Sequence, residues 1–261
     1  MANLIKMDLR RLFLSKVFYL TMGIVAFLNI VILTAIPLLT KMFAPGAEAS
    51  VTKLSDIIAN PFSIPWMIIA VFISMVSFSY ADMANGFIKN IAGQIPRKSD
   101  TVVSKFAVIG VHNLIFIAVS SLSMVLGNLI GSAFGTYTIE ADPLIMNGVL
   151  TLLLKWLLSM AICSILLLLT TGVRNKTLAA IVGVIFGTGT LGLVYMGLSS
   201  AVTNIFKTEG FNLAMYMPDG LMGVVNVSAN TGVLNTVIVS AVCIALFFAL
   251  TIRIFNTRDI K

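Results

Sequence analysis

Residues 150–200 read LTLLLKWLLSMAICSILLLLTT, then GVRNKT, then LAAIVGVIFGTGTLGLVYMGLSS. The stretch holds two long apolar runs joined by a short link that carries Arg174 and Lys176. A bilayer core about 30 Å thick is crossed by roughly 20 apolar residues in a helix, which satisfies the backbone polar groups that lipid cannot. The stretch therefore predicts two consecutive transmembrane helices with a basic turn between them.

The same pattern extends over the whole chain. Hydrophobic residues make up 59% and charged residues 10% of the sequence, whereas soluble domains have about 45–50% and 25%. We therefore expect an all-α integral membrane protein, a single transmembrane domain over residues 1–261, with both termini on one side. Six segments are long and apolar enough to be predicted as spans: 17–38, 64–80, 106–132, 150–171, 178–200 and 233–255. The first is longer than the apolar region of a signal peptide, about 7–15 residues, and is expected to be retained.

The basic residues indicate the orientation. All but four fall in the N-terminus, in the loops after spans two and four, or in the C-terminal tail; the four are Lys41, Lys53, Lys155 and Lys207. Cytoplasmic loops carry the excess of Lys and Arg, so both termini are predicted to be cytoplasmic, in a bacterial cell membrane. The net charge of +7 then reflects topology, and we expect no nucleic-acid partner.

Two cytoplasmic segments have an amphipathic pattern. In residues 3–16, Ile5, Leu9 and Leu12 share one stripe among basic residues, which favours a helix in the membrane interface; the alternative is a simple basic flank. In residues 82–98 an apolar arc of about 140° is predicted on a short helix, which Pro96 ends. That arc holds Met83, Ala84, Phe87, Ile88, Ile91 and Ile95. It has to be covered by the groove of a partner protein or by the membrane interface.

Residues 201–232 are long for an external connection. Their middle is fairly apolar on both sides of Pro218-Asp219-Gly220, a sequence typical of a turn. We expect two short helical pieces, too short to span, that dip back toward the outer leaflet as a re-entrant region.

The sequence carries no recognisable catalytic machinery. It has neither a G-x-x-x-x-G-K-[ST] phosphate loop nor an H-E-x-x-H zinc motif, and no carboxylate falls at the middle of a predicted span. His112-Asn113 is interpreted as a hydrogen-bonded structural pair. Lys155 is either a charge on a substrate path or a lysine that reaches the outer interface beside Trp156. We predict no catalytic, cofactor-binding or metal-binding residues.

Small and polar residues in the spans leave two questions open. Gly183 and Gly187 have G-x-x-x-G spacing, which lets helix backbones approach closely, either within the chain or at a subunit interface. Span three also carries hydroxyl and amide side chains that either line a polar path or bond to backbone carbonyls: Ser120, Ser121, Ser123 and Asn128.

The segment ADMANGFIKNIAGQIPRKSDTVVSKF at residues 81–106, with an amphipathic N-terminal segment and six spans, resembles the ABC-2 type permeases. Within that group it is similar to subunits of bacteriocin or lantibiotic immunity and peptide export. The resemblance implies that residues 3–16 form an interfacial elbow helix and that residues 82–98 form a coupling helix seated on a separate ATP-binding subunit. The ATPase-coupling residues would be Met83, Asn85, Gly86, Phe87, Ile88, Lys89, Ile91 and Arg97.

The resemblance also implies two permease subunits and two ATPases, with ATP and Mg²⁺ held in the partner chains and Gly183 and Gly187 at the subunit interface. The function expected is that of a permease subunit that moves an amphiphilic substrate, a peptide or lipid-like molecule, outward. Two alternatives are a stand-alone channel or secondary carrier, which the missing mid-membrane charges disfavour, and a non-transporting immunity or scaffold protein. The substrate and its binding residues are not indicated by the sequence.

Overall fold

The computed structural model describes residues 1–43, 50–61, 65–84, 97–140, 142–207 and 211–257. Helices account for most of them, and a pair of short strands joins two of the connections. The elements are α1 Ala2–Leu14, α2 Lys16–Phe43, β1 Ser50–Lys53, α3 Leu54–Ala59, α4 Pro65–Ala84, α5 Lys98–Ala133, β2 Tyr137–Glu140, α6 Ile145–Leu167 with a π-helical turn Leu168–Gly172, α7 Lys176–Thr188, α8 Leu191–Phe206, a 3-10 turn Leu213–Tyr216, α9 Pro218–Val224 and α10 Val233–Thr257.

Helices cover the described residues of the six predicted spans, except for a break at 189–190 in the fifth. Four helices among the described residues are long and apolar enough to cross a membrane: α2, α5, α6 with its π turn, and α10. The α7–α8 pair meets the same criteria as a bent unit, which makes five, and α4 contains a shorter apolar helix over Met67–Ala81. The protein is therefore an all-α protein with four to five helices able to span a bilayer.

The predicted span 178–200 is not one continuous helix. Asn175 caps the start of α7, since its side-chain oxygen accepts a hydrogen bond from the Leu178 amide at 2.9 Å. Gly189 ends α7 with φ of +68°, a left-handed conformation that glycine adopts without steric cost. The chain then turns by 69° into α8. The span predicted over 178–200 is therefore interrupted in the structure, because the left-handed glycine at position 189 ends the first helix.

The two strands fix one end of the bundle, which we call the sheet end. β1 follows α2 and pairs in parallel with β2, which follows α5, with Ser50 opposite Tyr137. Lys41 also donates hydrogen bonds to the carbonyls of Phe134 and Gly135, at 3.3 and 3.1 Å. The C-terminal ends of α2 and α5 therefore lie together.

The opposite end, which we call the α1 end, is fixed by two hydrogen bonds. The Ser104 hydroxyl, near the start of α5, donates to the Asp8 carboxylate of α1 at 2.6 Å. The buried Lys105 ammonium donates to the Ser79 carbonyl, near the end of α4, at 2.8 Å. Since β1 precedes α4 at the sheet end, α4 carries the chain across the bundle to the α1 end.

The remaining helices alternate between the same two ends. The start of α6 lies at the sheet end, where the Val227 amide donates to the Thr151 hydroxyl at 3.0 Å. Gly172, after α6, packs beside Ile254 near the end of α10. The first helix and the end of the last one therefore lie at the same end of the bundle.

The short helix α3 inserts among the longer ones, which the sequence did not predict. The Ser121 hydroxyl of α5 donates to the Ile58 carbonyl at 3.3 Å, and Ser120 donates to that of Pro61. On the other side, a Cβ at Gly148 of α6 would lie 2.6 Å from the Ser55 carbonyl oxygen. Glycine at position 148 thus permits α3 to pack between α5 and α6.

Burial separates the helices of the bundle into inner and outer ones. Half of the most apolar window of α5 and 56% of that of α6 are buried, against 11% for α2 and for α10. The outer helices expose large apolar side chains such as Leu20, Phe27 and Leu234, each more than 60% accessible. Such continuous apolar surface is unfavourable in water and favourable in lipid.

Two further predictions differ in detail from the structure. The apolar stripe of α1 is real, but Leu12 is buried and Ile5 and Leu9 pack against the bundle core. In the region 201–232, which is predicted to be external, α8 continues to Phe206, and the two short helical pieces are the 3-10 turn and α9. Pro218 begins α9 rather than forming a turn between the pieces, because its fixed φ suits the first position of a helix.

Candidate functional site

A partly open cavity of about 310 Å³ lies beside the bend between α7 and α8. Its lining comes from five parts of the chain: the residue after α3, the start of α4, the middle of α6, the end of α7 with the bend that follows it, and α9. The polar and charged residues among the lining are Asn60, Lys155, Thr188 and Asp219. The cavity therefore brings together two charged groups of opposite sign, Lys155 and Asp219.

Lys155 is almost fully buried, with 5% of its surface exposed. It lies ten residues after the start of α6, which corresponds to about 15 Å of helix. Its ammonium donates a hydrogen bond of 2.7 Å to the Asn60 side-chain oxygen, so the end of α3 positions it. The indole N–H of the neighbouring Trp156 donates a hydrogen bond of 3.1 Å to the Gly110 carbonyl of α5.

Asp219 occupies the first turn of α9. One of its carboxylate oxygens accepts a hydrogen bond of 2.8 Å from the Tyr195 hydroxyl of α8. Burial raises the pKa of Asp219 above its usual value, and the Tyr195 hydrogen bond opposes that shift. Within the described part of the chain no ion pair joins Asp219 to Lys155.

The two glycines of α7 with G-x-x-x-G spacing pack against α4, and Gly187 of the pair also lines the cavity. A Cβ at Gly187 would lie 2.5 Å from Ile69 Cγ1 and 3.0 Å from the Ile69 amide nitrogen, and one at Gly183 would lie 3.3 Å from Phe72 Cβ. Their spacing is therefore used in close packing between two helices of the same chain. The alternative role of these glycines at a subunit interface stays a prediction.

The predicted coupling segment falls largely outside the described residues. Asn85, Gly86, Phe87, Ile88, Lys89 and Ile91 all lie there. Met83 belongs to the last turn of α4, where it packs partly buried against the bundle core, and Arg97 is the exposed residue that precedes α5. The coupling segment thus connects the end of α4 to the start of α5. The structure holds these two helix ends together at the α1 end.

The polar side chains of α5 bond mostly within the protein. Asn128 donates to the Met124 carbonyl at 2.9 Å and Ser123 to the Ser120 carbonyl at 2.8 Å. Together with the bonds of Ser120 and Ser121 to α3 and its flank, this favours the carbonyl-bonding interpretation over a polar path. Sequence reasoning missed one partner, Asn29 of α2, which is fully buried and donates to the Ser123 hydroxyl at 2.7 Å.

His112 and Asn113 form the hydrogen-bonded pair that the sequence predicted, with His112 Nδ1 and Asn113 Oδ1 3.2 Å apart. The other imidazole nitrogen lies 3.1 Å from the Ser74 hydroxyl of α4. Asn113 donates in turn to Ser159 and Cys163 of α6, both at 3.1 Å. This network joins three helices through buried polar groups, and the described residues contain no group of three His, Cys, Asp or Glu side chains that could hold a metal ion.

The fold and these sites define a class, a mostly helical protein compatible with several passes through a membrane. No protein-family model matches the chain, and no curated protein matches it significantly.

Proposed function

We propose that the chain is the membrane-spanning permease subunit of an ATP-binding-cassette exporter, which moves an amphiphilic substrate outward. ATP hydrolysis would take place in a separate ATPase subunit, which holds the nucleotide and Mg²⁺, and a second permease subunit would complete the assembly. The resemblance of the segment at residues 81–106 to ABC-2 permeases is the starting point, and the arrangement of α4 and α5 supports it.

The observation that carries the proposal is the continuity of α5. This helix has 36 residues, about 54 Å in length, so it is longer than a bilayer core is thick. It begins directly after the coupling segment and ends at the β1–β2 pair. A displacement of the coupling segment would therefore be transmitted along one unbroken helix to the sheet end, where α5 contacts α3.

Six spans follow if α4 and the bent α7–α8 pair each cross the bilayer once. Because α4 links the two ends of the bundle and has 20 residues, about 30 Å of helix, it is long enough to do so. Both termini then lie on the cytoplasmic side of a bacterial cell membrane, α1 serves as the elbow helix at that surface, and the region around α9 serves as the external re-entrant region.

The decisive experiment concerns the coupling segment. Burying a Phe or Ile side chain stabilises a contact by roughly 1.5–3 kcal/mol, so Phe87→Ala with Ile91→Ala should lower the affinity for the ATPase about a hundredfold or more. The tagged protein is purified from membranes of its own host. Mass spectrometry then identifies any co-purifying subunit with a phosphate-binding loop, and the ATPase activity of the eluate is measured. We expect the double variant to insert normally into the membrane and to lose both the co-purifying subunit and the ATPase activity.

The matched control is Met42→Ala with Phe43→Ala. Both side chains are large, apolar and highly exposed, and they lie at the sheet end, away from the coupling segment. Co-purification that is equal in the two double variants would contradict the exporter proposal. It would indicate that residues 82–98 rest on the membrane, as expected for a carrier or a scaffold protein.

A further inference from the structure

The cavity at the α7–α8 bend contains a cation and a carboxylate whose charges are not paired with each other. Lys155 is 5% exposed and bonds to the neutral Asn60 amide at 2.7 Å. Asp219 bonds to the neutral Tyr195 hydroxyl at 2.8 Å. No ion pair within the described residues involves either side chain, and both line the same space of about 310 Å³.

This arrangement is costly unless a ligand completes it. A buried ammonium with a neutral partner keeps most of its desolvation penalty, because an amide oxygen compensates less than an anion does. A purely anionic ligand would pair with Lys155 but be repelled by Asp219. A purely cationic ligand would pair with Asp219 but be repelled by Lys155. A ligand with one anionic and one cationic group, spaced to reach both, satisfies the two side chains together.

The apolar surroundings indicate where such a ligand comes from. The rest of the lining includes Ile68, Phe186 and Met222. The helix that continues from the bend, α8, exposes large apolar side chains including Leu193, Val194 and Met196, each more than half accessible. A molecule with a polar head in the cavity would therefore find an apolar surface for its chains on the adjoining helix.

We propose that the cavity is a binding site for a zwitterionic headgroup of the phosphoethanolamine type, carried by a membrane lipid or lipid-like amphiphile. Lys155 binds the phosphate oxygens and Asp219 binds the primary ammonium, which donates hydrogen bonds to its carboxylate. A cavity of this size is at the lower end of the range of small-ligand sites, about 300–1,000 Å³, which suits a headgroup rather than a whole lipid. The site is formed by this chain alone and does not depend on the ATPase.

The test uses the full chain, purified in detergent and supplied with defined lipids, with bound lipid counted by native mass spectrometry. The wild type should retain phosphatidylethanolamine about tenfold or more over phosphatidylglycerol. Lys155→Met should lower retention of both lipids about tenfold or more. Asp219→Asn should abolish the preference while leaving phosphatidylglycerol bound. The control Lys53→Met, an exposed lysine of β1 at the same end of the bundle, should change neither.

Soluble phosphoethanolamine distinguishes the source of the headgroup. If it competes with the lipid, or binds in its place, the headgroup chemistry is supported and the site is open to water; if only the lipid binds, the site is entered from the bilayer. The absence of any preference for phosphatidylethanolamine, together with no binding of phosphoethanolamine, would overturn the proposal. An unchanged preference for phosphatidylethanolamine in Asp219→Asn would also overturn it. This variant keeps the proposal testable if Lys155→Met fails to fold. Since no ATPase is present, failure here leaves the exporter proposal standing.

Discussion

Gly187 shows how much a single residue contributes to the bundle. It allows α7 to approach the backbone of α4, at the point where Ile69 would otherwise meet a side chain. The same residue lines the cavity that holds Lys155 and Asp219. The packing of α4 against α7 and the shape of the cavity therefore both depend on the absence of a side chain at position 187.

We expect Gly187→Ala to destabilise the protein by about 1–3 kcal/mol, because the added methyl group overlaps Ile69 and the two helices have to move apart. The measurement is the thermal unfolding midpoint in detergent. Gly197→Ala is the matched control: it lies inside α8, where an added methyl group meets nothing within 4 Å, and alanine favours helix. Equal midpoints for the two variants would show that α4 and α7 are not in close contact.

At the scale of the elements, α1 is attached to the bundle by polar as well as apolar contacts. Asp8 is 3% exposed, and it accepts a hydrogen bond from Ser104 and pairs with Arg11 at 3.5 Å. A buried carboxylate with such partners orients a helix more strictly than an apolar stripe does, since its bonds require one geometry. The helix is thus held on the start of α5, next to the end of the coupling segment.

We expect Asp8→Ala to weaken the docking of α1 by about 1.5–3 kcal/mol, because it removes hydrogen bonds to a charged group. Opening of α1 should become roughly ten- to a hundredfold more frequent. Trypsin cleavage after the exposed Arg10 reports that opening and should accelerate accordingly. Lys6→Ala, an exposed position on the same helix, should cleave after Arg10 like the wild type. An Asp8→Ala variant with the wild-type cleavage rate would mean that the apolar stripe alone holds α1.

At the scale of the whole molecule, the distribution of charge agrees with the two ends of the bundle. Exposed lysines at the sheet end are Lys41, Lys53 and Lys207. The α1 end carries most of the remaining basic residues that the structure describes: Lys6, Arg10, Arg11, Lys16, Arg97, Lys98, Lys105, Arg174, Lys176 and Arg253. By the positive-inside rule we predict that the α1 end faces the cytoplasm.

We predict that cysteines placed at Lys53 and Lys207 react with an impermeant thiol reagent added to intact cells, whereas cysteines at Arg97 and Lys176 react only after the membrane is permeabilised. The background carries Cys243→Ser, since Cys243 is partly exposed, and keeps Cys163, which is buried and unreactive. Reaction of the cysteine at position 176 in intact cells would show that the orientation is opposite to the predicted one. Reaction at opposite sides for positions 53 and 207 would contradict six crossings.

The sequence by itself determined the long apolar helices and the charge asymmetry between their ends, because apolar length and basic flanks are local properties that the bilayer selects directly. The tertiary structure alone decided which side chains meet. Lys155 and Asn60 are 95 positions apart, Asp8 is buried by a helix near residue 104, and the bend at Gly189 depends on a backbone angle that composition does not specify. Periodicity gives the apolar face of a helix but not the neighbour that covers it. The cavity and its two charges therefore exist only where α3, α4, α6, α7 and α9 pack together.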